Sequence, residues 1–190
     1  MDIRTSFTEF IELVLSPVFL NSSTFGENRI RIFQYDPEDE IYVRQNLPYI
    51  LRQNARFKLF DLYDVIIAIL KQSDVLETYL ELEGEGYKDL AYKGIAGSLR
   101  LGQGENEITK YISDRIHDGD IIIISGVGKA YPILRTHSLI ASMQLKFKDQ
   151  IVVVMYPGRY TERSFSLFSL FPDSNYYRAK LIVRGETYDH

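Results

Sequence analysis

The stretch DIIIISGVGKAYPILRTHSLIASMQLKFKDQIVVVMY, residues 120–156, decides how the rest of the chain is read. Its two ends, Asp120–Ser125 and Gln150–Tyr156, are unbroken runs rich in β-branched residues. A strand with one wet face alternates apolar and polar residues. A continuous run is expected where both faces are covered by helices, as in a parallel sheet. Between the runs, Pro132–Leu145 has the length of a helix, and proline suits a first helical position. Strand, helix and strand of this size form a right-handed crossover between parallel neighbours.

The same alternation of elements extends upstream. Phe7, Phe10, Ile11, Leu13 and Val14 recur at helical spacing, which predicts a helix over 4–15 closed by Ser16-Pro17. Arg29–Tyr35 alternates with period two and predicts a first strand. Asp36-Pro37-Glu38-Asp39-Glu40 has the composition of a helix start, with Asp36 as cap and the acids at the positive helix end. Pro48 is expected to end or kink that helix. Phe57–Leu62 predicts a second strand and Tyr63–Leu70 an apolar helix. Gly84, Gly86, Gly94, Gly97, Gly102 and Gly104 divide region 74–117 into short helices, and Tyr177–Val183 reads as one more, edge strand. The expected fold class is α/β: a three-layer domain with a mainly parallel central sheet of about 4–6 strands, Rossmann-like but without a P-loop. One domain over residues 1–190 is expected, with a glycine-broken helical insertion around 72–105.

Composition narrows the function classes. The 190 residues include no Cys, 45% are hydrophobic and 25% charged, which are globular values. Without cysteine there is no disulfide framework, thiolate metal site or thiol nucleophile, and a reducing, cytoplasmic location is the expectation. The N-terminus MDIRTSFTEFIELVLSPVFL lacks a basic segment, a long apolar run and a small-residue cleavage site, so it does not read as a signal peptide. A net charge of −4 disfavours general nucleic-acid binding, which depends on neutralising phosphates. The charge is uneven: residues 72–90 carry six acids against one Lys, whereas 145–190 hold seven Lys/Arg against five acids, a local +2. For the acidic stretch a solvated helix-loop face is favoured over a functional patch.

Ligands of an open parallel sheet bind outside the carboxyl ends of its strands, so those ends hold the candidate chemistry. After the isoleucine run, Gly126 and Gly128 permit a tight turn with exposed amides, and Lys129, Arg135 and His137 follow. Such a loop can hold an anion. It is not a P-loop, because Ala130 follows Lys129, and it is not GxGxxG, because Tyr131 takes the third glycine position. A plain strand-to-helix turn and a ligand loop both fit. His137 shares a helical stripe with Ile133, Ile140 and Ala141, which turns it towards the sheet as a buried histidine. An Arg in the first turn of a helix opposes the helix dipole, so Arg135 calls for an acid or a ligand anion, with Asp36, Asp61 and Asp64 as candidate partners. These aspartates occupy cap and turn positions with no histidine at ligand spacing, and no metal site or cofactor is expected. GxSxG is absent, a triad would have to take its histidine from His117, His137 or His190, and no catalytic residue is assigned.

The densest aromatic cluster lies in 156–180. Tyr156, Arg159, Tyr160, Phe168, Tyr176, Tyr177 and Arg178 combine tyrosine and arginine around turns, the composition of a protein-binding surface. Phe165, Phe168 and Phe171 can equally staple the C-terminal segment to the core, and stacking on single-stranded nucleic acid is the least favoured reading.

Gly126–His137, Tyr156-Pro-Gly-Arg-Tyr160, Ser166-Leu-Phe168 and Asn175–Ala179 fall in an order that resembles the BrxB family of BREX (bacteriophage exclusion) anti-phage defence systems. Tyr35-Asp-Pro-Glu38 and Phe60–Asp64 are similar to its N-terminal half, so the resemblance runs over most of the chain and is weakest over 72–105. It departs at Lys129, where the family pattern leads one to expect an acid or a small polar residue. The resemblance implies a non-enzymatic accessory component of a multi-protein defence complex, bound to other BREX proteins, notably a PglZ/BrxZ-like partner. The alternative carried beside it is a nucleotide- or phosphate-binding degenerate ATPase using the Gly126–Gly128 loop and Arg135.

Overall fold

The isoleucine and valine runs lie side by side. β3 (Ile121–Ser125) pairs in parallel with β4 (Ile151–Thr161), Ile122 opposite Val152 and Ile124 opposite Val154. Its other edge takes β2 (Phe57–Asp61), which sets Asp61 beside Ser125. β4 also pairs with β1 (Ile30–Tyr35), and β7 (Lys180–Leu181) adds two residues outside β1. The order is β2-β3-β4-β1-β7, all parallel, so the fold is α/β. These elements come from a computed structural model of the chain, and the residues described are 2–21, 29–102, 105–161, 164–167, 171–173 and 179–182.

Strand alternation sends neighbouring residues into two separate cores. Ile122, Ile124, Val152, Val154, Ile30 and Ile32 face one side of the sheet. There they meet α4 (Leu62–Gln72), α6 (Lys88–Ser98), α7 (Glu107–Ser113), α8 (Val127–Ala130) and α9 (Thr136–Lys146). Ile121, Ile123, Val153, Met155 and Phe33 face the other, against α1 (Ile3–Leu15), α2 (Pro17–Leu20) and α3 (Glu40–Gln53). On that second side Phe10 and Phe33 pack with ring centroids 4.5 Å apart. Covering both faces explains why β3 is buried at all five positions.

The expected elements recur with five differences. α1 ends at Leu15 and Ser16 caps α2, accepting from the Phe19 amide at 3.2 Å. Pro48 does not end the helix that carries it: α3 runs on to Gln53. Pro48 itself is exposed, while Val43, Leu47 and Ile50 bury the helix on both sides of it. The missing amide therefore costs one bond on the wet face, and packing holds the helix together. Pro132 does not start a helix. Gly126, left-handed at φ +72°, lets α8 form directly after β3, and the chain then resets over 131–135 before α9 begins at Thr136. Within that reset the Tyr131–Pro132 bond is cis. β4 is also longer than its apolar run. It leaves the sheet at Pro157, and Gly158–Thr161 then pairs antiparallel with β5 (Ser164–Leu167), which pairs with β6 (Phe171–Asp173). The edge strand β7 is shorter than expected, and the remainder of 177–183 apart from Ala179 and Ile182 lies outside the described residues.

Between β2 and β3 the chain runs through α4, α5 (Leu76–Gly84), α6 and α7. No helix among the described residues is long and apolar enough to cross a membrane.

Candidate functional site

The carboxyl ends of the four long strands bring together four loops, and their polar side chains are largely spent on one another. At the end of β2, Asp61 caps α4, accepting from the amides of Tyr63 at 3.1 Å and Asp64 at 3.4 Å. Its other oxygen meets Lys129 Nζ at 2.7 Å and lies 3.5 Å from Ser125 Oγ. Lys129 also sits 5.7 Å from the ring centroid of Tyr63. The carboxylate lies directly in front of Gly126, where a β-carbon would meet Asp61 Oδ1 at 2.6 Å. Gly126 is thus required twice, by its positive φ and by the closeness of Asp61.

This arrangement changes what the glycine loop can do. An anion site needs unspent amides and cations, but here a carboxylate occupies the mouth of the turn and the nearest lysine neutralises it. Gly128 lies inside the four-residue α8 rather than in an open loop. Arg135 sits ahead of α9 in extended backbone (φ −90°, ψ 141°), so it does not oppose the dipole from within a first turn. It is exposed, and its expected ion pairs are not formed: Asp61 binds Lys129, and Asp36 accepts from Arg159 at 3.2 Å. His137 is half-buried rather than a core residue, while Thr136, Leu139 and Ile140 are the buried positions of its helix.

The extension of β4 roofs the β1 end. Tyr160 donates its amide to Gln34 Oε1 at 2.8 Å and its hydroxyl to the Ala179 carbonyl at 2.8 Å. Tyr156 is 0% exposed and Tyr160 4%, so both belong to the core and leave the expected docking surface. Only Arg159 of that set is seen on the surface; Phe168, Tyr176, Tyr177 and Arg178 lie outside the described residues. Tyr156 lies still inside the parallel sheet, opposite Gln34, and Tyr160 is buried because the strand overshoots that sheet and folds back on β5. Next to it Tyr35 donates to Glu40, and burial, with the Glu40 carboxylate adding to it, pushes the phenol far above its usual value. Tyr35 therefore stays a neutral donor.

Two features had weak or no sequence signals. The Asp61–Lys129 pair depends on β2 and β3 being neighbours, which no local pattern encodes. Asp61, expected at a cap or turn position, is the cap of α4. At the opposite sheet end a cleft of about 410 Å³ opens between Asn21, Arg29, Arg56, Asp120 and Asp149. Its arginines are held by carbonyls: Arg56 by Gly119 and Leu20 at 2.7 Å each, Arg29 by Asp149 at 2.8 Å. Among the described residues no group of three or more His, Asp or Glu is placed to hold a metal ion.

The family model described as BREX protein BrxB matches residues 58–182, from β2 to just past β7. A protein named BREX protein BrxB from Bacillus cereus (strain H3081.97) is 30% identical over 176 residues, 86% of this chain and 92% of that protein. One of the same name from Escherichia coli O9:H4 (strain HS) is 27% identical over 168 residues, 86% of this chain and 82% of that protein. No solved structure matches. With two thirds of its length under the family model and relatives aligned nearly end to end, the chain belongs to the BrxB family of BREX defence systems.

Proposed function

We propose that this BrxB-family chain serves its BREX anti-phage system as a non-enzymatic component that works in the cytoplasm by binding another BREX protein, a PglZ/BrxZ-like one. The observation that carries this reading is the Asp61–Lys129 pair at 2.7 Å in front of Gly126. It fills, with the chain's own carboxylate, the place where an α/β nucleotide protein holds a phosphate. The one-domain organisation over 1–190, with helices 72–105 as an insertion, suits a compact adaptor. The nucleotide-binding alternative asks Lys129, Arg135 and the Gly126 turn to meet an anion, and repulsion from Asp61 opposes it.

Co-purification of the tagged chain with the PglZ/BrxZ-like protein tests the reading, together with calorimetric titration of the chain alone with ATP. The expected outcome is a stable complex and a flat titration at millimolar ATP. Saturable heat from ATP that Arg135→Ala removes, with no complex recovered, would transfer the assignment to the loop.

A further inference from the structure

The helical hairpin α5–α6 carries three of the eight large apolar side chains that are exposed among the described residues. α5 buries none of its nine residues. A helix of that length has little stability of its own, because the first turns cost more than the few later bonds return. It is held by Leu76 and Tyr79, which pack against the core on the α4 side of the sheet, and by α6. Tyr79 lies against Gly94, where no β-carbon would fit, and its hydroxyl shares a hydrogen bond with Ser98 at 2.8 Å. Tyr92 reaches back to Glu83. α6 in turn buries Ala91 and Ile95, and Ile95 joins the core on the α4 side of the sheet. Three large apolar side chains lie outside both contacts: Leu80 is 49% exposed, Leu90 56%, and Tyr87, at the turn, 58%.

The charge around them is mainly negative. Over the hairpin, residues 76–98, Glu77, Glu81, Glu83, Glu85 and Asp89 outnumber Lys88 and Lys93, a local −3 in a chain of net −4. The ion pairs formed among the described residues use Asp36, Asp61, Glu105, Glu107 and Asp120, and none uses a hairpin carboxylate. An acidic solvated helix needs no exposed leucines, and a helix exposed by chance does not gather uncompensated charge around them. Exposed apolar side chains within a mainly acidic hairpin fit a partner that supplies the opposite charge and an apolar insert.

On the reading that the chain acts by association, we infer that the α5–α6 hairpin is its docking surface for a Lys/Arg-rich amphipathic helix of another BREX protein. Leu80, Tyr87 and Leu90 receive the apolar face of that helix, and Glu77, Glu81, Glu85 and Asp89 meet its basic flanks. The test co-expresses the tagged chain with the other proteins of its BREX system and quantifies what is recovered. It compares wild type, Leu80→Ser/Leu90→Ser, Glu81→Lys/Glu85→Lys, and Arg135→Ala/Arg159→Ala at the far sheet end. All four are checked for unchanged circular dichroism and melting temperature. Recovery is expected to drop at least tenfold in both hairpin variants and to persist in the arginine variant. In wild type it is expected to fall with rising salt. A measurement that needs no variant accompanies it: zero-length carboxylate–amine coupling of the wild-type complex is expected to join Glu81, Glu85 or Asp89 to lysines of the partner.

The outcomes separate the two levels of the claim. A complex lost only with the arginine variant, and uncoupled at the hairpin, keeps association and overturns this surface. Coupling of the hairpin to lysines of a second copy, with doubled mass in sedimentation, replaces the basic partner by self-association and also overturns it. If wild type recovers no other BREX protein, association itself fails and the docking surface with it.

Discussion

At the scale of single residues, the most constrained point is the contact of Gly126 with Asp61. Gly126→Ala places a β-carbon at φ +72° and 2.6 Å from a carboxylate oxygen that is fixed by a helix cap and a lysine. The expected loss of stability is about 2–3 kcal/mol by denaturant unfolding. Asp61→Ala alone removes the cap of α4, at about 1–2 kcal/mol. In that background Gly126→Ala is expected to cost only about 1 kcal/mol, because the clash is gone and only the backbone conformation remains. Equal costs in both backgrounds would show that the contact contributes nothing. The turn at Gly126 was legible from a glycine after a strand. The contact was not, because Asp61 comes from a strand end 64 residues before Ser125. Tyr156 and Tyr160 were misread for a related reason: burial depends on where the chain goes next, and Arg159 between them is exposed.

At the scale of elements, what could be read and what could not divides along packing. β3 and β4 were legible because a β-branched run has one physical interpretation once helices flank it. α1 was legible from Phe7, Phe10 and Val14, its three buried positions. Proline misled twice, since its local preference yields to tertiary contacts. Pro132 has the right φ for a helix start, but α8 precedes it and the helix waits until Thr136. Pro48 lacks the amide that would bond to Arg44, yet α3 continues because Leu47 and Ile50 are held in the core. That makes α3 a helix carrying an avoidable cost. Pro48→Ala is expected to stabilise the protein, by about 1–3 kcal/mol, since alanine restores the bond at an exposed site and has the higher helix propensity. The gain is reduced by the unfolded-state freedom that proline had restricted. A higher midpoint in urea at unchanged slope checks it. Unchanged or lower stability would mean that the proline is matched to a bend on which α3 packing depends.

At the scale of the molecule, the sheet divides the interior into two cores that share a backbone but no side chains. Val152 belongs to the core under α4, α6, α7, α8 and α9, and Val153, its immediate neighbour, to the core under α1, α2 and α3. Both are 0% exposed. In an amphipathic strand one of two adjacent residues is solvated and tolerant. Here each Val→Ala substitution is expected to cost about 2–3 kcal/mol, from lost transfer energy and an unfilled cavity. Neighbouring substitutions usually interact because they share a cavity or a partner. These two open cavities on opposite faces, lined by different helices, so the double variant is expected to lose the sum of the single losses within about 0.5 kcal/mol. Unfolding by circular dichroism and by tyrosine fluorescence, run on all four proteins, gives the cycle and tests whether one transition reports both cores. A coupling well above that limit would mean that the sheet itself deforms to fill one cavity at the expense of the other face. The two cores would then be a single mechanical unit, and the layered description of the fold would need to be replaced.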